Sequence, residues 1–546
     1  GTLLTIAAPL VEEMVKNHYS TDEALERFKT EGLVFSTNED IVRDFYDQLL
    51  KLENENKNGI WARFLKNSFA PMIAGKFDFV VGNPPWIRWD YLSQSYRNAT
   101  LRLWKDYGLF SLKGYAQMLG GAKPDFSMLF VYAASDYYLK NGGKLGFLIT
   151  QEVFKSKGAG EGFRRFQLGN GEYLKVLQAL DFVSIQPFEG ATNKTAAIIL
   201  KKGKKTEYPV PYIVWEKTKS TGKISTDKAL VEVLSLINGK VYKAKPIDSS
   251  ISAWQTYRDE TEKLLNLKGI NYYRARSGAY TSPYGVFWVE IKQVLNNNNL
   301  IISNNTKQGK KKIYSVEETI ESDLVFPVVR GSDVKRWKAD LKIFSLIVNG
   351  SNNMISGFDE RLMKKNWPRT YNYLTQFKDD LISQAAYKRY HQDQQHPFYS
   401  QYNIGTYTFA NYKVIWNQMG NEINSCVISQ INTPFGFKMV IPLHTTALIA
   451  SENELEAHYL CSIINSIPVK EFIKSFSSKG RGIGTPSVMD HVGIPKFDPQ
   501  NALHLKLAEI SKQCHQLKLE GKDEEIKKLE KENDALVEEL FGISHE

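Results

Sequence analysis

The chain has 546 residues, of which 42% are hydrophobic and 12% aromatic, so it is too long for one hydrophobic core and is expected to form two or three domains. Its 70 Lys and Arg residues outnumber its 60 Asp and Glu residues, and the net charge of +10 is compatible with a polyanionic partner. The three cysteines are widely spaced, which argues against a disulfide framework and favours a cytoplasmic protein. No apolar run reaches membrane-spanning length, which argues against a membrane protein.

The first 75 residues are predicted to be helical. Apolar residues recur at three- and four-residue steps in TIAAPLVEEMVKNH and again in NEDIVRDFYDQLLKLENE, which is the spacing of one helical face. We therefore define 1–75 as a helical N-terminal segment.

Residues 76–205 are predicted to form a parallel sheet covered by helices. FDFVVG at 77–82 and KLGFLIT at 144–150 have the composition of buried strands, and DFSMLFVYAASDYYLKNGG between them has that of a helix ended by two glycines. This alternation is typical of α/β sheets, in which ligands bind at the carboxyl ends of the strands. Asn83 lies at such an end.

The alternation fades beyond residue 205. We expect 206–250 to be a linker and 251–500 to be an irregular α+β domain, because aromatic and β-branched residues mix there with asparagine-rich turns. Two apolar helical stripes separated by the break EGKD predict a helical hairpin over 501–546.

Asn83-Pro84-Pro85-Trp86 ends the first predicted strand with residues suited to chemistry. Prolines cannot donate to a sheet ladder, and a residue before proline is held extended, so the backbone of Asn83 is fixed. An exocyclic amine on an aromatic ring is a poor nucleophile because its lone pair is delocalised. The side-chain oxygen of Asn83 and the carbonyl of Pro84 could accept its two hydrogens and favour a pyramidal nitrogen, while Trp86 offers a stacking face. A simple strand-ending turn is the alternative.

This corner resembles the Asn/Asp-Pro-Pro-aromatic motif of gamma-type N6-adenine DNA methyltransferases that depend on S-adenosylmethionine (AdoMet). The resemblance continues in order and spacing through DFSMLF at 125–130, GGKLGF at 142–147 and QPFEGATNKTAAIILKK at 186–202. Later segments are similar to the target-recognition part of single-chain Eco57I-like type IIG enzymes: RGSDVKRW at 330–337, ELEAHYLCSIINS at 454–466 and KGRGIGTPSVMDHVGIP at 479–495. The resemblance implies a partial α/β Rossmann-like methyltransferase domain over 76–205, then an α+β target-recognition domain and the C-terminal helical hairpin.

The resemblance also assigns roles to residues of the first domain. It makes Asn83, Pro84, Pro85 and Trp86 the catalytic group, with Trp86 and Phe188 stacking on the target base. Residues expected to contact AdoMet are Asn67, Asn83 and Asp125. Asp125 could instead cap the helix that follows it, and Phe188 could be ordinary core. No metal site is predicted.

Basic side chains cluster in three segments of the 251–500 domain. In a recognition domain such clusters are expected to contact phosphates, although a solvated loop is the alternative. The glycine-dense stretch 479–484 is predicted to be a mobile loop facing DNA. The expected DNA-binding residues are Lys307, Lys310, Lys311, Lys312, Arg330, Lys335, Arg336, Lys479 and Arg481.

The resemblance thus implies transfer of a methyl group from AdoMet to adenine N6 in double-stranded DNA, within a restriction–modification system and after the base is flipped out. Two alternatives stay open. The chain could be a non-catalytic DNA-binding specificity fragment, or the same corner could methylate RNA or a protein glutamine, against which the large recognition domain argues.

One feature of the family is absent. A glycine-rich AdoMet loop of the DPxxGSG type should precede the corner, yet the first 76 residues contain only Gly1, Gly32, Gly59 and Gly75. The sequence is therefore expected to be the C-terminal portion of a longer enzyme, whose upstream segment, fused or separate, would carry that loop and a nuclease.

We predict that this chain alone binds AdoMet weakly or not at all, because the loop that forms the tight turn beneath the cofactor is missing. Equilibrium dialysis of the chain with AdoMet measures this directly. Micromolar binding would contradict the prediction.

Overall fold

The computed structural model describes residues 2–33, 39–57, 75–110, 124–156, 158–188, 193–218, 224–225, 227–309, 311–350, 356–477 and 480–543. The chain divides into two compact units. The first comprises Gly1–Ala244 and Ser249–Ser252, and the second comprises Lys245–Asp248 and Ala253–Glu546. Within the described ranges, none of the helices has both the length and the apolar character needed to cross a bilayer.

The helices over Thr2–Lys16, Glu39–Asn54 and Phe126–Tyr137 lie where the apolar periodicity predicts them, whereas the helix over Leu230–Leu236 lies in the segment expected to be a linker. The helices of the first unit are α1 Thr2–Lys16, α2 Thr21–Thr30, α3 Glu39–Asn54, α4 Gln94–Asp106, α5 Phe126–Tyr137, α6 Glu152–Lys155 and α7 Leu230–Leu236. Ser20 and Glu23 form a capping box that starts α2, so the local sequence sets this boundary. Helices α1 to α3 share a small core of their own around Met14, Phe28 and Tyr46.

Six strands of the first unit pair in one sheet in the order β1-β2-β4-β3-β5-β6. Their bounds are β1 Phe77–Gly82, β2 Leu139–Thr150, β3 Leu174–Asp181, β4 Thr195–Lys202, β5 Val210–Lys217 and β6 Ile237–Pro246. The segment 206–250, expected to be a linker, therefore contributes two strands to this sheet.

The sheet is mixed, not parallel as predicted. β1 pairs with β2 in parallel, but β4 runs antiparallel to both of its neighbours, β2 and β3. The described residues between β3 and β4 include no crossover helix of the kind that usually joins parallel neighbours, in keeping with their antiparallel pairing. β4 inserts between β2 and β3, so the carboxyl ends of β1, β2 and β3 still lie at the same edge.

Strand β1 is not buried, contrary to its apolar composition. Phe79 is 71% exposed and Val81 is 83% exposed, because β1 lies at the end of the strand order and pairs only with β2 among the described residues. An apolar alternation alone does not tell an edge strand from a central one.

The described part of the second unit contains two large hydrophobic cores and a smaller one. One large core lies around a six-stranded sheet, β11-β10-β9-β15-β12-β21, and the other around the sheet β18-β16-β22-β8 and the C-terminal helices. The smaller core includes Val329, Ile415 and Leu448. The strands are β7 Trp254–Tyr257, β8 Arg276–Ser277, β9 Trp288–Val294, β10 Asn299–Asn304, β11 Glu317–Glu321, β12 Val325–Val329, β13 Val334–Lys335, β14 Lys338–Ala339, β15 Ile343–Leu346, β16 Tyr412–Asn417, β17 Met419–Gly420, β18 Ser425–Ile428, β19 Gln430–Thr433, β20 Gly436–Met439, β21 Ile441–Pro442, β22 Thr446–Ser451 and β23 Gly480–Arg481.

The last two helices of this unit carry the two apolar stripes seen in the sequence. The helices of the unit are α8 Tyr284–Phe287, α9 Glu360–Asn366, α10 Pro368–Gln376, α11 Lys378–Ile382, α12 Ala385–Tyr390, α13 Glu454–Asn465, α14 Ile467–Phe476, α15 Pro486–Met489, α16 Ala502–Glu520 and α17 Asp523–Leu540. Gly521, with a left-handed φ of 74°, ends α16 and allows α17 to turn back. The amide of buried Asn533 on α17 donates to the carbonyl of Ser462 at 3.0 Å, which ties the hairpin to α13.

Candidate active site and recognition surface

The chain leaves β1 at Gly82, and the four residues that follow alternate in exposure. Asn83 and Pro85 are exposed, Pro84 is buried and Trp86 is half-buried. Gly82 pairs in register with Phe147, and a Cβ at this glycine would lie 3.0 Å from that ring, so a larger residue would require the ring to shift. Buried Pro84 anchors the corner, while the Asn83 amide is left open at the carboxyl edge of the sheet.

Backbone hydrogen bonds tie the residues after the corner to the start of α5. The amide of Phe126 donates to the carbonyl of Ile87 at 2.8 Å, and the amide of Trp89 donates to the carbonyl of Pro124 at 3.0 Å. Asp125 caps α5, because its carboxylate accepts the amide of Ser127 at 2.9 Å. Burial raises the pKa of Asp125, and the hydrogen bonds from Ser127 oppose that shift. The helix-capping interpretation of Asp125 is thus realised, and a cofactor contact stays a prediction.

The two aromatic residues assigned to base stacking are in contact. The ring centroids of Trp86 and Phe188 lie 5.4 Å apart at an interplanar angle of 76°, an edge-to-face pair. The Trp86 indole donates to the carbonyl of Leu148 on β2 at 3.4 Å, which orients it, and Phe188 is 36% exposed. A planar ring bound between these side chains would displace their edge contact.

A buried carboxylate that the sequence analysis missed organises the segment leading to Phe188. Asp181 ends β3, and its side chain accepts hydrogen bonds from the Gln151 amide at 2.9 Å, the Tyr212 hydroxyl at 2.7 Å and the Val183 backbone at 2.9 Å. The chain then closes a turn at Gln186, whose φ of 46° is uncommon for a residue other than glycine. Asp181 therefore fixes the start of the segment that carries Phe188.

Lys155 completes this buried cluster and was also missed. Its ammonium lies 5.5 Å from the ring centroid of Tyr212, and the residue is 8% exposed. Burial lowers the pKa of Lys155 to about 7, although the charge of Asp181 acts in the opposite direction. Sequence position could have indicated both residues. Lys155 follows β2 and Asp181 ends β3, and ligands of such sheets bind at these strand ends.

Three of the predicted site residues cannot be placed. Asn67 lies outside the described residues, as do Lys310 and Lys479. Among the described residues, no group of three His, Cys, Asp or Glu side chains could hold a metal ion.

The lysines of the 307–312 segment differ in their surroundings. Lys307 and Lys312 are exposed, whereas the ammonium of Lys311 pairs with the Asp380 carboxylate at 2.8 Å and donates to the Ser383 hydroxyl at 2.8 Å. Lys311 thus holds the end of α11, and a phosphate contact would compete with these partners.

The three basic residues of the 330–337 segment also differ in their partners and exposure. Arg330 forks onto Asp333, with nitrogen–oxygen distances of 2.7 and 3.0 Å, and exposed Lys335 donates to the carbonyl of Ser332 at 3.1 Å. Arg336 reaches the Asn465 carbonyl at 2.9 Å and pairs with Glu530 of α17 at 2.8 Å. The geometry therefore gives Arg336 a packing role, while Lys335 faces solvent.

The prediction of an unpacked loop at 479–484 is wrong from Gly480 onward. Gly480 and Arg481 form β23, which pairs with Met419 and Gly420. The Trp416 indole donates to the carbonyl of Gly484 at 2.8 Å, and a Cβ at Gly484 would lie 2.1 Å from the carbonyl oxygen of Asn417. Gly484 therefore serves close backbone packing, because no side chain fits at that position.

The depressed pKa of Lys155 predicts a pH-dependent stability. Between about pH 7 and the ordinary lysine value of 10.5, the unfolded chain binds a proton that the folded chain releases, so the free energy of unfolding gains a rising component with pH. Lys155→Met should lack this component. Urea unfolding of both proteins across that window measures the difference, with Lys204→Met, at an exposed lysine, as the control. Identical pH profiles for wild type and Lys155→Met would contradict the burial argument.

Part of the chain is similar to known proteins. Residues 11–188 match the profile of the family described as Eco57I restriction-modification methylase. The type II methyltransferases M.HincII and M.HindII of Haemophilus influenzae are each 30% identical to the chain over 129 residues, which is 24% of this chain and 23% and 22% of theirs. The chain thus matches under a quarter of the length of these curated relatives.

The fold is mixed α/β with several sheets and is similar to that of a solved restriction–modification enzyme. The type IIL enzyme MmeI, solved in complex with DNA, aligns over 86% of this chain and 55% of its own, with a TM-score of 0.52 and 12% identity. That likeness shows a shared fold. As the motifs around Asn83 predicted, residues 11–188 are similar to the Eco57I restriction-modification methylase family.

Proposed function

We propose that the chain carries the catalytic corner and the target-recognition unit of a methyltransferase that modifies adenine N6 in duplex DNA within a restriction–modification system. One observation carries the proposal: the exposed Asn83 amide lies at the carboxyl end of β1, one residue from buried Pro84 and beside the contacting rings of Trp86 and Phe188. This set suits a planar ring with an exocyclic amine.

The chain's own residues would hold and orient that amine. The Asn83 side-chain oxygen and the Pro84 carbonyl would accept its two hydrogens, which directs the nitrogen lone pair out of the ring plane. Trp86 and Phe188 would stack on the ring after the base leaves the duplex, because the amine cannot be reached inside the stack. Asp181 would position Phe188 for this contact.

The methyl donor that this family chemistry calls for is AdoMet, and the described residues fit one side of its site. Asn83 is open to solvent and Asp125 lies at the start of α5, but no glycine-rich turn precedes β1 in the part of the chain that the structure describes. When bound, the sulfonium supplies an electrophilic methyl group. Asn67 is proposed as a further contact to it.

The second unit would select the DNA site. Exposed Lys307, Lys312 and Lys335 could neutralise phosphates, while side chains of the same unit read base edges in the major groove. MmeI, which shares the fold, was solved in complex with DNA. A specificity fragment without catalysis is the second candidate, because the exposed lysines of the second unit suit DNA binding by themselves.

Removing the Asn83 side chain tests the catalytic assignment. In a form of the protein shown to bind AdoMet, Asn83→Ala should lower the rate of methyl transfer ~100- to 1000-fold, by analogy with loss of one oxyanion-hole donor, and leave DNA affinity nearly unchanged. Single-turnover methylation gives the rate. Asn238→Ala, at an exposed asparagine on β6, is the matched control. Near-normal methylation by a folded Asn83→Ala protein would make Asn83 a strand-ending residue only.

Salt titrations test the phosphate contacts. Lys335→Ala should reduce the slope of log affinity against log salt by ~1 without altering sequence preference, because one counterion release is lost. Fluorescence anisotropy with a labelled duplex measures the slope, and Lys528→Ala, at an exposed lysine on α17, serves as the control. An unchanged slope for Lys335→Ala would place this side chain away from DNA.

A further inference from the structure

Three segments that are far apart in sequence meet at one cavity of the second unit. The cavity has a volume of about 370 Å³, within the ~300–1,000 Å³ typical of ligand pockets. Gln308 comes from the lysine-rich loop and Arg330 from the RGSDVKRW segment, and Met419 pairs with Arg481 of β23. Two of the three basic segments noticed in the sequence therefore line one pocket, and the third pairs with a strand that lines it.

One wall of the cavity is aromatic and rigidly held. The ring of Tyr284 stacks on Trp288 at 4.2 Å and 16°, and the Trp288 indole donates to the Thr281 hydroxyl at 2.9 Å. The Tyr284 hydroxyl lies 3.2 Å from Nε2 of His444, which also lines the cavity. The Arg330 guanidinium carbon lies 5.9 Å from the Trp288 centroid, so the cation rests on the ring face.

Arg330 is fixed in place, yet not all of its donors are used. Its Nε and Nη2 donate to Asp333, and its Nη1 donates to the Gln308 side-chain oxygen at 3.1 Å. A guanidinium has five N–H groups, so one on Nη1 and one on Nη2 remain. Burial would raise the pKa of Asp333, but the hydrogen bonds and charge of Arg330 hold this pKa below its ordinary value. The carboxylate therefore stays ionised and holds the guanidinium in place.

The arrangement differs from a purely structural ion pair. The Arg330 side chain is 27% exposed and lines an open cavity, and the Gln308 amide nitrogen has no hydrogen-bond partner in the described part of the chain. A prepositioned cation with two N–H groups to give, beside an amide donor, matches a ligand that presents adjacent acceptors. Among DNA bases, guanine O6 and N7 form such a pair.

We propose that this cavity receives the edge of one guanine of the DNA target and that Arg330, assisted by Gln308, determines specificity at that position. The inference rests on the proposed function and names one element of its recognition. The aromatic wall of Tyr284 and Trp288 excludes water from the contact, which strengthens the hydrogen bonds made there.

Selection of duplexes from a randomised pool by the full chain tests the proposal. The wild type should retain a sequence that contains a guanine, and Arg330→Lys and Gln308→Ala should lower discrimination at that single position. A bidentate contact predicts a loss of about 5- to 150-fold for Arg330→Lys, and Gln308→Ala should fall near the lower end. Lys335→Ala, outside the cavity, should weaken binding to all duplexes equally.

The outcomes separate the two claims. A wild-type chain that retains no sequence would overturn the proposed DNA recognition and this inference with it. A wild type that selects a sequence, while the variants keep the same preference at every position, would overturn the role of the cavity alone. Because Arg330→Lys could unfold the turn at Asp333, thermal unfolding accompanies each selection, and Gln308→Ala decides the question if that variant fails to fold.

Discussion

The two consecutive prolines after Asn83 impose the constraint on which the candidate active site depends. They end β1, remove two backbone donors from the sheet edge and hold Asn83 extended, so that its amide projects from the carboxyl end of the strand. Buried Pro84 fixes the corner from below, and the bond from Phe126 to the Ile87 carbonyl fixes its continuation. Every role proposed for Trp86 and Phe188 requires this corner to be rigid.

A second rigid feature, the buried cluster of Asp181 and Lys155, lies at the carboxyl ends of β2 and β3. Asp181 ends β3 and accepts three hydrogen bonds. Its charge acts to raise the pKa of buried Lys155, which lies nearby. Burying charge is costly unless it is paired and hydrogen-bonded. The cluster is best explained as a support for the segment that presents Phe188 to Trp86. The first unit would thus hold a base from two sides, one built by backbone geometry and the other by buried charge.

The sequence predicted the features that local physics determines. The apolar period placed α5, α16 and α17, and the corner residues indicated both the end of β1 and the family. Pairing between distant segments was harder: the insertion of β4 between β2 and β3, the exposure of β1 and the strands within 206–250 depend on contacts that no local pattern encodes. The packing at Gly484 was misread for the same reason, since Asn417, which explains it, lies far away in the chain, and the pairing of Arg336 with Glu530 was likewise not visible in the sequence.

Two kinds of recognition would therefore act in one enzyme: base edges and phosphates at the second unit, and a single extruded base at the corner of the first. We propose that the corner acts on the exocyclic amine of adenine. Single-base sequencing of modified bases in DNA treated with the enzyme in an AdoMet-binding form tests it most directly. We expect N6-methyladenine at one position of one defined sequence. Methylation of cytosine, or DNA left unmodified by an enzyme that binds AdoMet and the duplex, would contradict the account.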